Sequence, residues 1–151
     1  MKTTYNIAVL AGDGIGQEVV PEAVRVLRTV ADSSAVTFTF EQALIGGVSI
    51  EQHGEALTKE CLDLCKKSDA VLLGAIGDPR YDAYAPALRP EKALLELRKE
   101  LACFANLRPA MEFDSLKASS PLRPELIEGT DFMVVRELTG GLYYGEPRGI
   151  E

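Results

Sequence analysis

The residues best suited to chemistry lie between Glu91 and Pro109, in the stretch EKALLELRKELACFANLRP. At about 100° per residue, Glu91, Leu95, Arg98 and Ala102 fall on one stripe of a helix, and Leu94, Leu97 and Leu101 form the adjoining apolar stripe. One face packs; the other offers a carboxylate, a leucine and an arginine in a row. Arg108 follows, and Pro109 after it pushes it out of the helical region, so the helix ends before Arg108. A helix-borne and a strand-borne arginine aimed at one place would grip one anion, because a planar guanidinium holds a carboxylate through two parallel hydrogen bonds. The same spacing suits two ordinary surface ion pairs, and spacing alone leaves both readings open.

Other stretches carry weaker signals. Gly12-Asp13-Gly14-Ile15-Gly16 is a glycine-rich turn between an apolar run and a helical pattern, a place where backbone amides meet phosphate, but its spacing is not the dinucleotide fingerprint G-x-G-x-x-G. Gly77 to Pro90 reads as a long loop with three prolines and two tyrosines, a length more often functional than idle. DFMVVRE, Asp131 to Glu137, reads as a buried strand ending in Arg136, after which a glycine-broken turn presents Tyr143 beyond the strand end. Tyr144 reads as a packing neighbour. His53, the only histidine, sits in a polar loop-like segment and takes no role. Cys61 and Cys65 share a helix face, but three cysteines without a nearby histidine make neither a disulfide framework nor a zinc set.

The elements that must position these residues follow from hydrophobic periodicity. Tyr5 to Ala11 is a short apolar run fitting a strand covered on both faces. The helix after it turns Val20, Ala23, Val24, Leu27 and Val30 inward, with Pro21 near the inner limit of its first turn, where a missing donor is cheap. Val36 to Glu41 alternates as a strand near a sheet edge, and Gly46-Gly47 breaks the chain. Thr58 is the N-cap of a helix reaching Lys67, with Leu62 and Cys65 inward. Asp69 to Ala75 is a buried strand, and Phe104 to Ala110 also reads as a strand. Strand, helix, strand, helix, strand argues an α/β fold with parallel pairing.

Composition bounds the rest. The 151 residues are 46% hydrophobic, enough for one core of common size. The net charge of −7 disfavours nucleic acid and anionic membrane as partners. With no bilayer-length apolar run and no signal peptide, the expectation is a soluble cytoplasmic protein.

The pattern E-x-x-L-L-x-x-R from Glu91, the run Asn106-Leu107-Arg108-Pro109, Gly12-Asp13-Gly14-Ile15-Gly16 and Arg136-Glu137-Leu138-Thr139-Gly140-Gly141 together closely resemble the isopropylmalate dehydrogenases of the isocitrate/isopropylmalate dehydrogenase family. The resemblance runs in order from Ile7 to Gly149 and covers only the N-terminal portion of such proteins. Ala11 and Gln17 stand where the family commonly has proline, beside the glycines rather than on them. The resemblance implies an isopropylmalate dehydrogenase-like, non-Rossmann α/β fold: a mixed sheet with flanking helices, two domains, truncated. Residues 1–103 would begin the cofactor-side domain and 104–151 the substrate and dimerisation domain.

It also implies the chemistry. The substrate would be 3-isopropylmalate, its two carboxylates met by Arg98, Arg108 and Arg136 and its isopropyl group packed on Leu94 and Leu95. A pocket without a hydrogen-bond partner rejects smaller alkyl groups weakly, which keeps a tartrate- or malate-type enzyme in view. NAD would lie along Ile15, Gly77, Asp78, Pro79, Glu91 and Asn106, and Tyr143 would deliver the proton that ends decarboxylation. The Mg²⁺ or Mn²⁺ ligands and a lysine from the partner subunit of a homodimer are expected beyond residue 151. The chain alone is therefore expected to lack dehydrogenase activity, and a carboxylate-binding domain without catalysis is the rival from another class.

Overall fold

An unbroken apolar run is what a strand needs when both of its faces are covered, and β1 (Thr4–Gly12) is that strand: Ile7, Ala8, Val9 and Leu10 are all buried. The computed structural model describes residues 3–85, 89–137 and 149. It divides into two compact units, residues 1–101 and 102–151.

In the first unit, β1 lies between β2 (Thr37–Gln42) and β3 (Ala70–Ala75) and pairs with both in parallel, Thr4 opposite Thr37 and Ile7 opposite Ala70. Alternation then sorts its side chains. Ala8 and Leu10 face a core made with Ile45, Leu57, Cys61 and Cys65 together with Ala93 and Leu97 of α4 (Glu91–Glu100). Ile7 and Val9 face Val20 of α1 (Gly16–Asp32), with Val24, Phe38 and Phe40 packed around them. Each valine, leucine or isoleucine among them, fully buried, contributes roughly 1.5–3 kcal/mol, so β1, with Ile7, Val9 and Leu10, is the energetic centre of the unit.

α3 (Lys59–Lys67) begins as expected: Thr58 is extended, and its hydroxyl accepts from the Cys61 amide at 3.1 Å. Its inward residues are Cys61 and Cys65, with Leu62 only partly buried. α4 is tied to α3 across the surface by Lys66 and Glu100 at 2.6 Å.

Some expectations fail. The break at Gly46-Gly47 is the start of a short helix, α2 (Gly47–His53), so His53 ends a helix rather than sitting in a loop; it is exposed all the same. Val30 is 46% exposed, since α1 packs on Ile7 and Val9 through Val20 and Val24 near its start. Pro21 lies beyond the first turn of α1, so the Gln17 carbonyl receives no amide from it. β3 is only partly buried, having a paired neighbour on one side alone among the described residues.

The second unit carries the clearest correction. β4 (Ala105–Met111) and β5 (Asp131–Glu137) form an antiparallel pair, joined by a 3₁₀ segment (Asp114–Ser119) and the short α5 (Pro124–Ile127). Lys117 bridges Glu112 at 2.7 Å and Asp114 at 2.8 Å, and Glu112 also accepts from the Gly129 amide at 2.8 Å. β5 is exposed along its whole length, not buried: a two-stranded ribbon offers its apolar residues no second layer among the described residues of this unit.

Candidate functional site

The strand order β2-β1-β3 places β2 and β3 on opposite sides of β1, so the chain reverses its direction of travel across the sheet there. In open α/β sheets ligands bind outside the carboxyl ends of strands at such a reversal. Two loops leave at that place: Asp13 to Ile15 after β1, and Ile76 to Asp78 after β3.

These loops are in contact. The Asp13 amide donates to Ala75 O at 2.7 Å. Gly77 has φ +104°, a backbone conformation that strains any other L-residue, and a Cβ there would lie 2.8 Å from Glu91 Oε1. Gly14 has φ +47°, with Asp78 Oδ2 3.3 Å from where its Cβ would be. Ile15, at the N-terminus of α1, is 59% exposed. Ile15, Gly77, Asp78 and Glu91 thus belong to one loop cluster of the first unit, and Pro79 opens the 3₁₀ turn (Pro79–Tyr81) next to it. Asp78 caps that turn, accepting from the Arg80 amide at 3.0 Å and from Arg80 Nε at 3.1 Å. Those bonds and the guanidinium charge hold its carboxyl below the usual range.

α4 carries the predicted stripe as far as Arg98, while Ala102, its expected fourth member, lies beyond the helix end with φ +53°. Glu91 is exposed, Leu94 half-buried, Leu95 46% exposed and Arg98 half-buried, while Ala93 and Leu97 face the core. Arg98 makes no ion pair with any described residue. In the second unit, Asn106 is opposite Arg136 in the ladder and Arg108 is two residues along, so all three share one face of the ribbon. Arg108 Nε donates to Asn106 Oδ1 at 2.6 Å, and neither Arg108 nor Arg136 is ion-paired among the described residues. Two of the three expected arginines are therefore brought together on the second unit, and Arg98 is carried by the first. Tyr143 lies outside the described residues. Among the described residues no group of three or more His, Cys, Asp or Glu is arranged to hold a metal.

Sequence reasoning missed two positions. Asp13 is wholly buried and accepts three backbone amides, Gly47 N, Val48 N and Gly77 N, each at 2.9 Å. Tyr81 is buried against Gly47 and donates its hydroxyl to Glu51 Oε1 at 3.0 Å; burial first and then that bond push the phenol up to about 12. A carboxylate directly after a strand buried on both faces was a usable signal for Asp13, because it must find donors there. Nothing local marks Tyr81.

Against known proteins, the model of the isocitrate/isopropylmalate dehydrogenase family matches residues 6–151. The chain belongs to that family. Among relatives of the isocitrate/isopropylmalate dehydrogenase family, the chain is similar to the 3-isopropylmalate dehydrogenases of Geobacillus kaustophilus (56% identical, covering 96% of this chain and 39% of that one) and Moorella thermoacetica (58%, covering 93% and 40%). Among solved structures, it is similar to a β-decarboxylating dehydrogenase from Thermococcus kodakarensis, with a TM-score of 0.65 and 36% identity over 93% of this chain and 36% of that one. The chain thus spans about two fifths of the length of the curated relatives it matches, 39% and 40%.

Proposed function

We propose that this chain is the N-terminal part of an NAD-dependent enzyme that oxidises and decarboxylates (2R,3S)-3-isopropylmalate in leucine biosynthesis, working as a cytoplasmic homodimer. The observation that carries the reading is the open face of α4, where an arginine without an ion-pair partner among the described residues follows two accessible leucines and a carboxylate at helical spacing. A branched, doubly anionic molecule matches that face. No helix among the described residues is long and apolar enough to cross a membrane.

The loop cluster fits the nicotinamide end of a dinucleotide, because Gly14 and Gly77 leave open a cradle that any Cβ would fill. Ile15, Gly77, Asp78, Pro79, Glu91 and Asn106 would hold it. A nicotinamide bound there would supply the hydride acceptor for C2, the C2 hydroxyl proton leaving to solvent as the ketone forms. Arg98, Arg108 and Arg136 hold the two carboxylates, and their charge orients C2 and C3. Leu94 and Leu95 cover the isopropyl group and keep water from it. The C3 carboxylate then leaves as CO₂, its bonding pair forming the enolate, and Tyr143 returns a proton to that carbon. The described residues do not fit a divalent metal, and no step here passes through one.

The test is NADH formation by a protein that joins this chain to the remainder of the relatives' length, with isopropylmalate, malate, tartrate and isocitrate compared in the presence of Mn²⁺. Isopropylmalate is expected to give the highest kcat/KM; a preference for malate or tartrate would replace the substrate assignment, and no turnover with any would overturn the reaction class. The 151-residue chain alone is expected to give no turnover.

A further inference from the structure

We propose that Asp13 is the positioning residue of the loop cluster. Its buried carboxylate gathers the amide of Gly77 and those of Gly47 and Val48 at the start of α2, and so fixes the loop on which Asp78 and Glu91 converge. The inference rests on the proposed function only for what the loop is held toward.

Three observations carry it. The Asp13 side chain is fully buried, and both its oxygens are engaged: Oδ2 accepts from Gly47 and Gly77, Oδ1 from Val48, all at 2.9 Å. The donors come from two segments far apart in the chain, both otherwise without an amide partner at that place, since Gly47 and Val48 are the first residues of a helix and have no intrahelical acceptor. The fit leaves no slack: a Cβ on Gly46 would lie 2.5 Å from Asp13 Oδ2. A carboxylate is also the right charge at the first turn of a helix. Two carboxyl oxygens accept from all three amides, whereas an amide side chain in that place puts an NH₂ group against at least one of the donors.

The consequence reaches the site. Gly77 is the residue that passes beneath Glu91, and Asp78 beside it approaches Gly14. If the Gly77 amide is released, that loop is held by Tyr81 and Glu51 at its far end, and the contact between Gly77 and Glu91 is no longer enforced.

The experiment is amide hydrogen exchange by NMR on the native chain and on Asp13→Asn, with NAD titrated into both. In the native chain the amides of Gly47, Val48 and Gly77 are expected to exchange with protection factors within about threefold of one another, because they open as one unit. In D13N all three are expected to lose protection together by about tenfold or more while Val9 and Leu10 stay protected, and NAD affinity is expected to fall by a similar factor. A Phe38→Ala variant, which loosens the packing opposite Tyr5 at the start of β1, the end of the sheet away from these loops, is expected to melt earlier with NAD affinity unchanged, separating positioning from plain destabilisation. Unrelated exchange rates for the three amides in the native chain would overturn the proposal, and that measurement decides alone if D13N does not fold. Protection of Gly77 retained in folded D13N, or an equal loss of NAD affinity in F38A, would overturn it too. Concerted exchange without any NAD binding to the native chain would support Asp13 as the fixing residue and count against the cofactor reading instead.

Discussion

Arg98 decides how the charge on this molecule is used. Most exposed arginines settle into ion pairs worth little, as Arg25 does with Glu22 at 2.6 Å. Arg98 is half-buried, part-way stripped of water, and has no such partner among the described residues, which leaves its donors for an anion from outside. In the enzyme assay proposed for the joined protein, Arg98→Ala is expected to lower kcat/KM for isopropylmalate by about 30-fold or more, since truncating one partner of a desolvated charge pair costs about 2–5 kcal/mol. An unchanged kcat/KM would remove Arg98 from the site. At Gly47 the constraint is steric: a Cβ would lie 1.9 Å from Cε2 of the buried Tyr81 ring. Gly47→Ala must push that ring out and break its bond to Glu51, and is expected to destabilise by about 1–3 kcal/mol in urea unfolding. A loss below a few tenths would show that the ring has room to move.

Among the elements, two helix ends make opposite predictions. Thr58 satisfies an orphan amide of α3, so Thr58→Ala is expected to lower stability by about 1 kcal/mol. Ala102, just past the end of α4, has φ +53°, a conformation that costs an L-residue roughly 1–2 kcal/mol and that glycine adopts freely. Ala102→Gly is therefore expected to raise the urea midpoint, and a fall would mean that chain entropy outweighs the relieved strain. These ends also show what a sequence makes legible. Thr58 was readable because cap and donor are three residues apart, and β1 because burial on both faces writes an unbroken apolar run. The Glu91–Arg98 face was readable from helical spacing. α2 was not: it has seven residues, and the carboxylate at its start comes from Asp13, 34 positions away from its first amide. Nor was the exposure of β5, because apolar strand composition says that a face wants covering, not whether this part of the chain covers it. The grouping of Arg108, Asn106 and Arg136 came from the ladder register, which a residue pattern within one strand does not contain.

For the whole molecule, the groups that titrate late set its response to base. Burial pushes the Cys61 thiol from 9.0 up to about 12 and raises Cys65 as well, and the Tyr81 phenol goes from 10.0 to about 12. In each case the folded chain holds its proton longer than the unfolded chain does. Between the unfolded and folded values the unfolded state binds fewer protons, so the slope of stability against pH is negative. The contribution is fully present below about pH 9 and is lost as pH rises toward 12. The urea midpoint of the native chain is expected to be level from pH 7 to 8.5 and to fall steadily above pH 9. Cys61→Ala combined with Tyr81→Phe lowers the starting stability, since it opens a small void and removes the bond to Glu51, yet it deletes two of the groups whose ionisation drives the fall. Its curve should start lower and descend less steeply, Cys65 still contributing. A native midpoint that does not change up to pH 11 would mean that these groups lie in water, rather than Cys61 and Cys65 in the core beneath Ala8 and Leu10 and Tyr81 against Gly47.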